Sequence, residues 1–427
     1  MNTENNIPFE TMDCESSKIG AKRSGTFKHE RQTKKKKKVI LSTLDIFISS
    51  FIVSPLVIAC WRGTWQLIDL YSYYFPPWES FLVGTTIHLI IALGQHIFYD
   101  LLNEDGKCWW RRIITFTSTK LYIIVFHSIT NLYWRSAWLI TDEYFGVTVS
   151  PTGRTSIQKE REALLFFPAC LIVLTLMKCL RNLTSTPFQI CLDYDDGFFL
   201  FPNMFKSKIN ESPALYLLDS TFSVFVVGTL VLTVWRGGWL FLDLYLMPNE
   251  FTLSCWTTAV RVCLKIASYV LIAWVFLAQN TVERICNELD GISKLVVADF
   301  YMLLAFVGVI CTWRGIWGLI NIYFIPSDEE LSCWLTSTIS LVLLSLMGCS
   351  NSLLARGVYL DAEEQDGSCV AFTCSYLRDV FVQEKARKLM FWKRGDGVRG
   401  KFAIIATKNF KQIKIIESNE NAGPDMI

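Results

Sequence analysis

The chain is short of the residues that soluble enzymes use for chemistry. Only 4 of its 427 residues are histidine and only 19% are charged. It contains no nucleophile elbow, phosphate-cradling glycine loop, HExxH helix or kinase signature, so the usual constellations for acyl, phosphoryl or metal-assisted reactions are missing. Its 14 cysteines are scattered without CxxC or Cys/His zinc spacing, which gives no reason to expect a metal or a cofactor. A net charge of +2 supplies no overall field to draw a nucleic acid. The polar stretch before the first apolar run is too long for a cleavable signal and lacks a small-residue cleavage site.

What is present is apolar length. Hydrophobic residues make up 52% of the chain, with a mean hydropathy of +0.32, gathered in stretches of roughly 20 residues, enough helix to cross a bilayer core. Eight spanning segments are expected, at about 41–66, 78–102, 121–141, 163–181, 218–243, 253–278, 298–322 and 332–354. The fold class is therefore an all-α membrane protein of eight transmembrane helices. Residues 1–39 and 357–427 form basic tails around a membrane domain at 40–356.

Charge in the connections sets the orientation. Loops after segments one, five and seven contain no Lys or Arg, and the loop after segment three (Arg154, Lys159, Arg161) is the outlier. Loops after segments two, four and six carry Lys107, Arg111 and Arg112, then Lys206 and Lys208, then Arg284 and Lys294. The run Lys34 to Lys38 and 11 Lys or Arg between Arg378 and Lys414 flank the membrane domain, a distribution suited to the anionic inner leaflet. Both termini are thus expected in the cytoplasm, and the sequons at Asn182 and Asn210 should stay unglycosylated.

An internal repeat organises the membrane domain. The odd-numbered segments end as WRGTWQLIDLY (61–71), WRSAWLITDEY (134–144), WRGGWLFLDLY (235–245) and WRGIWGLINIY (313–323). Leu253-Ser-Cys-Trp256 and Leu331-Ser-Cys-Trp334 echo each other, and acidic-Gly pairs at Asp105, Asp196, Asp290 and Asp366 close the units. The repeat units span about 40–106, 119–197, 217–291 and 296–367, each expected to be an out-and-back helical hairpin in one common orientation.

On a helix, Trp61, Arg62, Trp65 and Asp69 share an arc of about 100°, as do Trp134, Arg135, Trp138 and Asp142, and Trp235, Arg236, Trp239 and Asp243. Each Arg can stack on the Trp one turn above it. The Asp lies about 10 Å further along the axis, too far for a short intrahelical bridge but within reach of an Arg on a neighbouring unit. In the fourth copy, Trp313, Arg314 and Trp317 are followed by Asn321, so Arg314 lacks a local counter-charge. Gly63, Gly237, Gly315 and Ser136 suit close helix approach. Two readings stand for these residues: an outer-interface packing motif with snorkelling Arg and an aromatic belt, or a ligand or ion site where the charges converge.

Lys265 falls mid-span in segment six, where a paired structural role and a transport role both fit. His88, His96 and His127 fit helix packing or a proton relay. Asp45, Asp219 and Asp299 lie near inner helix starts, where a carboxylate complements the helix dipole. Cys255 and Cys333 occupy matching outer positions, as duplicated small residues or as a disulfide.

The repeated Trp-Arg-Gly segments at 61–63, 235–237 and 313–315, on an eight-pass chain with a charged leading tail, resemble the fuseless family of invertebrate transmembrane proteins. The resemblance covers roughly residues 40–360, with Ser136 and a longer outer loop departing in the second copy. It implies a non-catalytic plasma-membrane protein of the presynapse whose partners are membrane lipid and a voltage-gated calcium channel, supporting synaptic transmission. A solute or ion transporter using the intramembrane Arg, Asp and Lys265 is the alternative.

Overall fold

The computed structural model describes residues 39–102, 109–149, 155–193, 199–246, 252, 254, 268–372, 374, 376–378, 380–381, 402–406 and 413–417. The chain divides into two compact units, one of residues 46–374 and one of residues 1–45 with 375–427.

The larger unit is helical. Its helices are α1 (Ser54–Leu70), α2 (Pro77–Leu93), α3 (Gln95–Leu102), α4 (Trp109–Phe145), α5 (Glu160–Leu176), α6 (Pro213–Tyr245), α7 (Ser268–Glu288), α8 (Gly291–Tyr323) and α9 (Glu329–Met347). Among the described residues, five are long and apolar enough to cross a membrane: Val39–Leu70, Ile113–Phe145, Pro213–Tyr245, Gly291–Tyr323 and Glu329–Met347. The pair α2 and α3, bent by 54°, makes a sixth if counted as one span. The protein is a helical multi-pass membrane protein.

Local sequence explains several departures from straight helix. A π turn at Ser49–Val53 leads into α1. Pro55 just beyond it has no N–H to give and crowds the preceding turn, which a widened turn accommodates. A second π turn, Phe222–Val227, sits at the matching place before the motif in α6. Segment two breaks at Gly94, where Gln95 turns its amide toward the Tyr216 hydroxyl at 3.0 Å and takes the Phe201 N–H at 2.7 Å. Asp328 caps α9 by accepting the Leu331 N–H at 2.9 Å. Gly348, left-handed at φ 68°, ends α9, so the last expected residues of segment eight form a 3-10 turn at Ser350–Leu353 instead.

The long outer connection holds a small hairpin, β1 (Val147–Val149) against β2 (Thr155–Ile157), antiparallel. This region was expected to be plain loop; alternation in Val-Thr-Val after a left-handed Gly146 accounts for it. In the smaller unit, β3 (Phe402–Ala406) pairs antiparallel with β4 (Ile413–Glu417). There the Asp45 carboxylate accepts the Leu377 N–H at 2.6 Å.

Helix packing departs from the expected hairpins. The four motif helices meet in cyclic order, α1 with α4, α4 with α6, α6 with α8, and α8 with α1. Apart from the short α3, each remaining helix packs chiefly on the motif helix of the next unit: α2 on α4, α5 on α6, α7 on α8, and α9 back on α1. The units are therefore exchanged around a closed ring, and the last joins the first. Helix periodicity reports which face is buried but not which neighbour buries it.

Candidate functional site: a tryptophan-arginine ring and its cavity

The motif tryptophans form two stacked tiers. In the first, Trp61, Trp134, Trp235 and Trp313 touch in a closed circle, with neighbouring ring centroids 5.5–5.9 Å apart and planes at 75–81°. In the second, Trp65, Trp138, Trp239 and Trp317 do the same at 5.5–5.8 Å and 81–88°. Edge-to-face contact suits the aromatic quadrupole and contributes about 0.5–1.5 kcal/mol per pair beyond burial. Tryptophans four residues apart on each of the four motif helices produce both tiers at once.

Outside the indoles runs a ring of charge. Arg135 Nε donates to Asp69 at 2.5 Å, Arg236 Nε to Asp142 at 2.5 Å, and Arg314 Nε to Asp243 at 2.7 Å. Arg62 Nε closes the circle on Asn321 Oδ1 at 2.8 Å. Every pair joins one unit's Arg to the preceding unit's acidic position. The copy without a carboxylate therefore deprives Arg62, not Arg314. The arginines are 2–4% exposed, and a lone buried charge is costly. The cation–π contact lies between units too: the Arg236 guanidinium sits 4.8 Å over Trp138 rather than on its own helix.

Second partners come from the flanking helices. Arg62 Nη1 donates to Ser332 Oγ at 2.9 Å, and Arg314 Nη1 to Ser254 Oγ at 3.1 Å. Those serines belong to the repeated Leu-Ser-Cys-Trp segment, and each passes its own hydrogen to a carbonyl eight residues back, on Phe324 and Leu246. The motif tyrosines also reach helix starts: Tyr71 donates to Glu330 of α9 at 2.6 Å and Tyr245 to Glu160 of α5 at 3.3 Å. Small residues complete the fit. A Cβ on Gly63 would lie 2.6 Å from the Cys333 carbonyl oxygen in α9, and one on Gly237 2.5 Å from Phe167 in α5.

The end of the bundle away from this ring carries a twofold exchange unread in the sequence. Met177 to Leu183 and Met347 to Leu353 share the pattern Met-x-Cys-x-x-polar-Leu. Each forms a left-handed residue (Lys178, Gly348) followed by a 3-10 turn. Asp361 accepts the N–H groups of Leu180 and Arg181 at 2.6 and 2.7 Å, while Asp193 accepts those of Ser350 and Asn351 at 3.2 and 2.7 Å. Asp361 N–H in turn donates to the Lys178 carbonyl, and Asp193 N–H to that of Gly348. Burial pushes the Asp361 carboxyl above the usual carboxylate range, with the backbone donors opposing it. The two segments hold the first indole tier: Trp61 Nε1 donates to the Leu353 carbonyl at 3.0 Å and Trp313 Nε1 to that of Thr186 at 3.2 Å.

Between the tiers and these segments lies a cavity of ≈ 340 Å³, lined by all eight motif tryptophans and by residues of 182–191 and 352–359. Asn182, the first sequon, is built into the turns, taking the Tyr359 N–H at 2.9 Å.

Other sequence candidates scatter. Lys265 and Cys255 lie outside the described residues, and Cys333 is a buried free thiol. His127 packs edge-on against Trp61 at 5.4 Å with Thr64 Oγ1 3.2 Å from its ring. His96 is exposed and His88 buried. Asp219 accepts the Phe205 and Ser207 N–H groups, both at 3.0 Å. It thus anchors the preceding loop, and Asp45 anchors Leu377 as described, in place of the helix-dipole role expected for both. No cluster of metal-ligating side chains occurs among the described residues.

The family model named Fuseless matches residues 40–354. The chain belongs to the Fuseless family. Its matched region contains all four motif helices, both indole tiers and the charge ring. No curated protein and no solved structure matches it.

Proposed function

We propose that this Fuseless-family chain is a non-catalytic scaffold of the plasma membrane that positions a second membrane protein. By the family resemblance, that protein is a voltage-gated calcium channel at the presynaptic membrane. The observation carrying this reading is the closure of the Arg–Asp ring around interlocked indoles. A core whose motif arginines each have an oxygen partner favours a rigid body over a path for moving charge. In this reading eight segments cross the bilayer with both termini in the cytoplasm, and the basic runs at 18–38 and 378–414 meet the inner leaflet and cytoplasmic partners. Affinity purification from neuronal membranes tests it: a calcium-channel subunit should co-purify with the wild-type chain and be lost with Arg236→Ala. Recovery of no channel under conditions that retain other membrane complexes would overturn it.

The transporter reading draws on the central cavity. Reconstituted vesicles showing substrate-dependent flux, lost on Arg236→Ala, would favour it over the scaffold.

A further inference from the structure

The ≈ 340 Å³ cavity lies within the size range of small-molecule sites, about 300–1,000 Å³, and the ring architecture does not require it. We propose that it is a binding site for a flat aromatic carboxylate, with the aromatic body among the indoles and the carboxylate at Arg356.

Three observations select that class. Eight tryptophans line the cavity, so a flat ring system gains stacking and edge contacts there that an aliphatic ligand would not. No Asp or Glu is among the lining residues, whereas the Arg356 guanidinium is. The surrounding ring adds four arginines against three aspartates. Among the described residues, Arg356 is the one Lys, Arg, Asp or Glu in the lining, favouring an anion over an amine.

The third observation is unused hydrogen-bonding capacity. Thr186 Oγ1 and His88 Nδ1 both belong to residues lining the cavity, are buried at 1% and 7% exposure, and have no hydrogen-bond partner. Buried polar atoms in native proteins are ordinarily satisfied, so two such atoms at one cavity point to something that occupies it. Arg356 and His88 belong to one end of the cavity. The guanidinium stacks 5.5 Å over Phe201, which packs 6.2 Å from Phe126, itself 5.0 Å from His88. Exposed Cys191 and Tyr359 mark the mouth.

The test uses full-length protein in nanodiscs of zwitterionic lipid, with 2-naphthoate as probe and 2-naphthol and 2-naphthylmethylamine as the neutral and cationic comparisons. Equilibrium dialysis against empty nanodiscs reads affinity, and tryptophan fluorescence reports occupancy of the indole tiers. Naphthoate should bind saturably and at least tenfold more tightly than the amine. Arg356→Gln should erase the preference of naphthoate over naphthol while leaving naphthol binding, which also shows that the cavity has folded. His88→Leu, at the Arg356 end, should weaken naphthoate by about 3–10-fold, the usual worth of one hydrogen bond, and decides the matter if Arg356→Gln does not fold. Naphthoate partitioning equally into empty nanodiscs, tighter binding of the amine, or affinity indifferent to both substitutions would overturn the proposal.

Discussion

Arg62 donates to the amide oxygen of Asn321 at 2.8 Å, at the junction where the fourth unit meets the first. Gln66 shares that oxygen at 3.2 Å. The other three junctions use a carboxylate. Asn321→Asp should therefore raise the thermal unfolding temperature in nanodiscs, by an amount equivalent to about 1 kcal/mol from a charge-assisted bond. Asn321→Leu should lower it by removing the acceptor from a buried guanidinium. A stabilising Asn321→Leu would show that the fourth junction does not bind Arg62 in the membrane.

The aspartates differ in exposure: 43% for Asp69, 22% for Asp142 and 19% for Asp243, against arginines at 3–4%. Neutralising a well-buried partner strands its arginine and costs about 3–5 kcal/mol, whereas solvent discounts an exposed pair to about 1 kcal/mol or less. Asp243→Asn should destabilise most and Asp69→Asn least, as read by thermal denaturation of detergent-solubilised protein. The reverse order would mean that water reaches the ring differently.

Gly63 sits where any side chain would run into α9 backbone, 2.6 Å from the Cys333 carbonyl and 2.7 Å from the Ser337 nitrogen. Backbone cannot rotate away as a side chain can. Gly63→Leu should cost at least the roughly 1–3 kcal/mol of ordinary overpacking, visible as a lower unfolding temperature and reduced yield of monodisperse protein. Gly238→Ala faces only side-chain atoms at 3.4 Å and beyond, and should be tolerated.

Thiol labelling reads orientation. Cys191 is exposed, while Cys60, Cys179, Cys333 and Cys349 are buried. A membrane-impermeant maleimide should modify Cys191 only after cells are permeabilised, with the buried thiols protected until unfolding, and Asn210 should carry no glycan. Labelling of Cys191 on intact cells, or a glycan at Asn210, would reverse the topology.

The motif and its outward Asp were legible because a helix puts residues four and eight apart on one face, so Trp61, Trp65 and Asp69 announce their shared face in the sequence alone. Which Arg each Asp meets depends on the exchange of units, so local spacing points to Arg314 as the residue lacking a carboxylate while the structure shows Arg62. The expected segment eight runs past Gly348 because Leu353 and Leu354 beyond the Ser-Asn-Ser stretch extend the apolar pattern. Only the left-handed glycine stops it. The matching Met-x-Cys turns at 177 and 347 were visible as letters. Their meaning lies in Asp193 and Asp361, each capping the turn of the other half from far along the chain, a relation that periodicity does not encode.

The central claim is that the fourth unit closes on the first. Tyr71 at the end of α1 and Glu330 in α9 meet through their exposed side-chain ends at 2.6 Å, and Tyr245 in α6 meets Glu160 in α5 in the same way at 3.3 Å. The paired variant Tyr71→Cys with Glu330→Cys should therefore be joined by a short bis-maleimide in native membranes, identified by mass spectrometry of the joined peptides. Tyr245→Cys with Glu160→Cys joins helices adjacent in sequence and serves as the positive control. Cross-linking of both pairs is the predicted result; a linked control beside an unlinked 71–330 pair would contradict the closed ring.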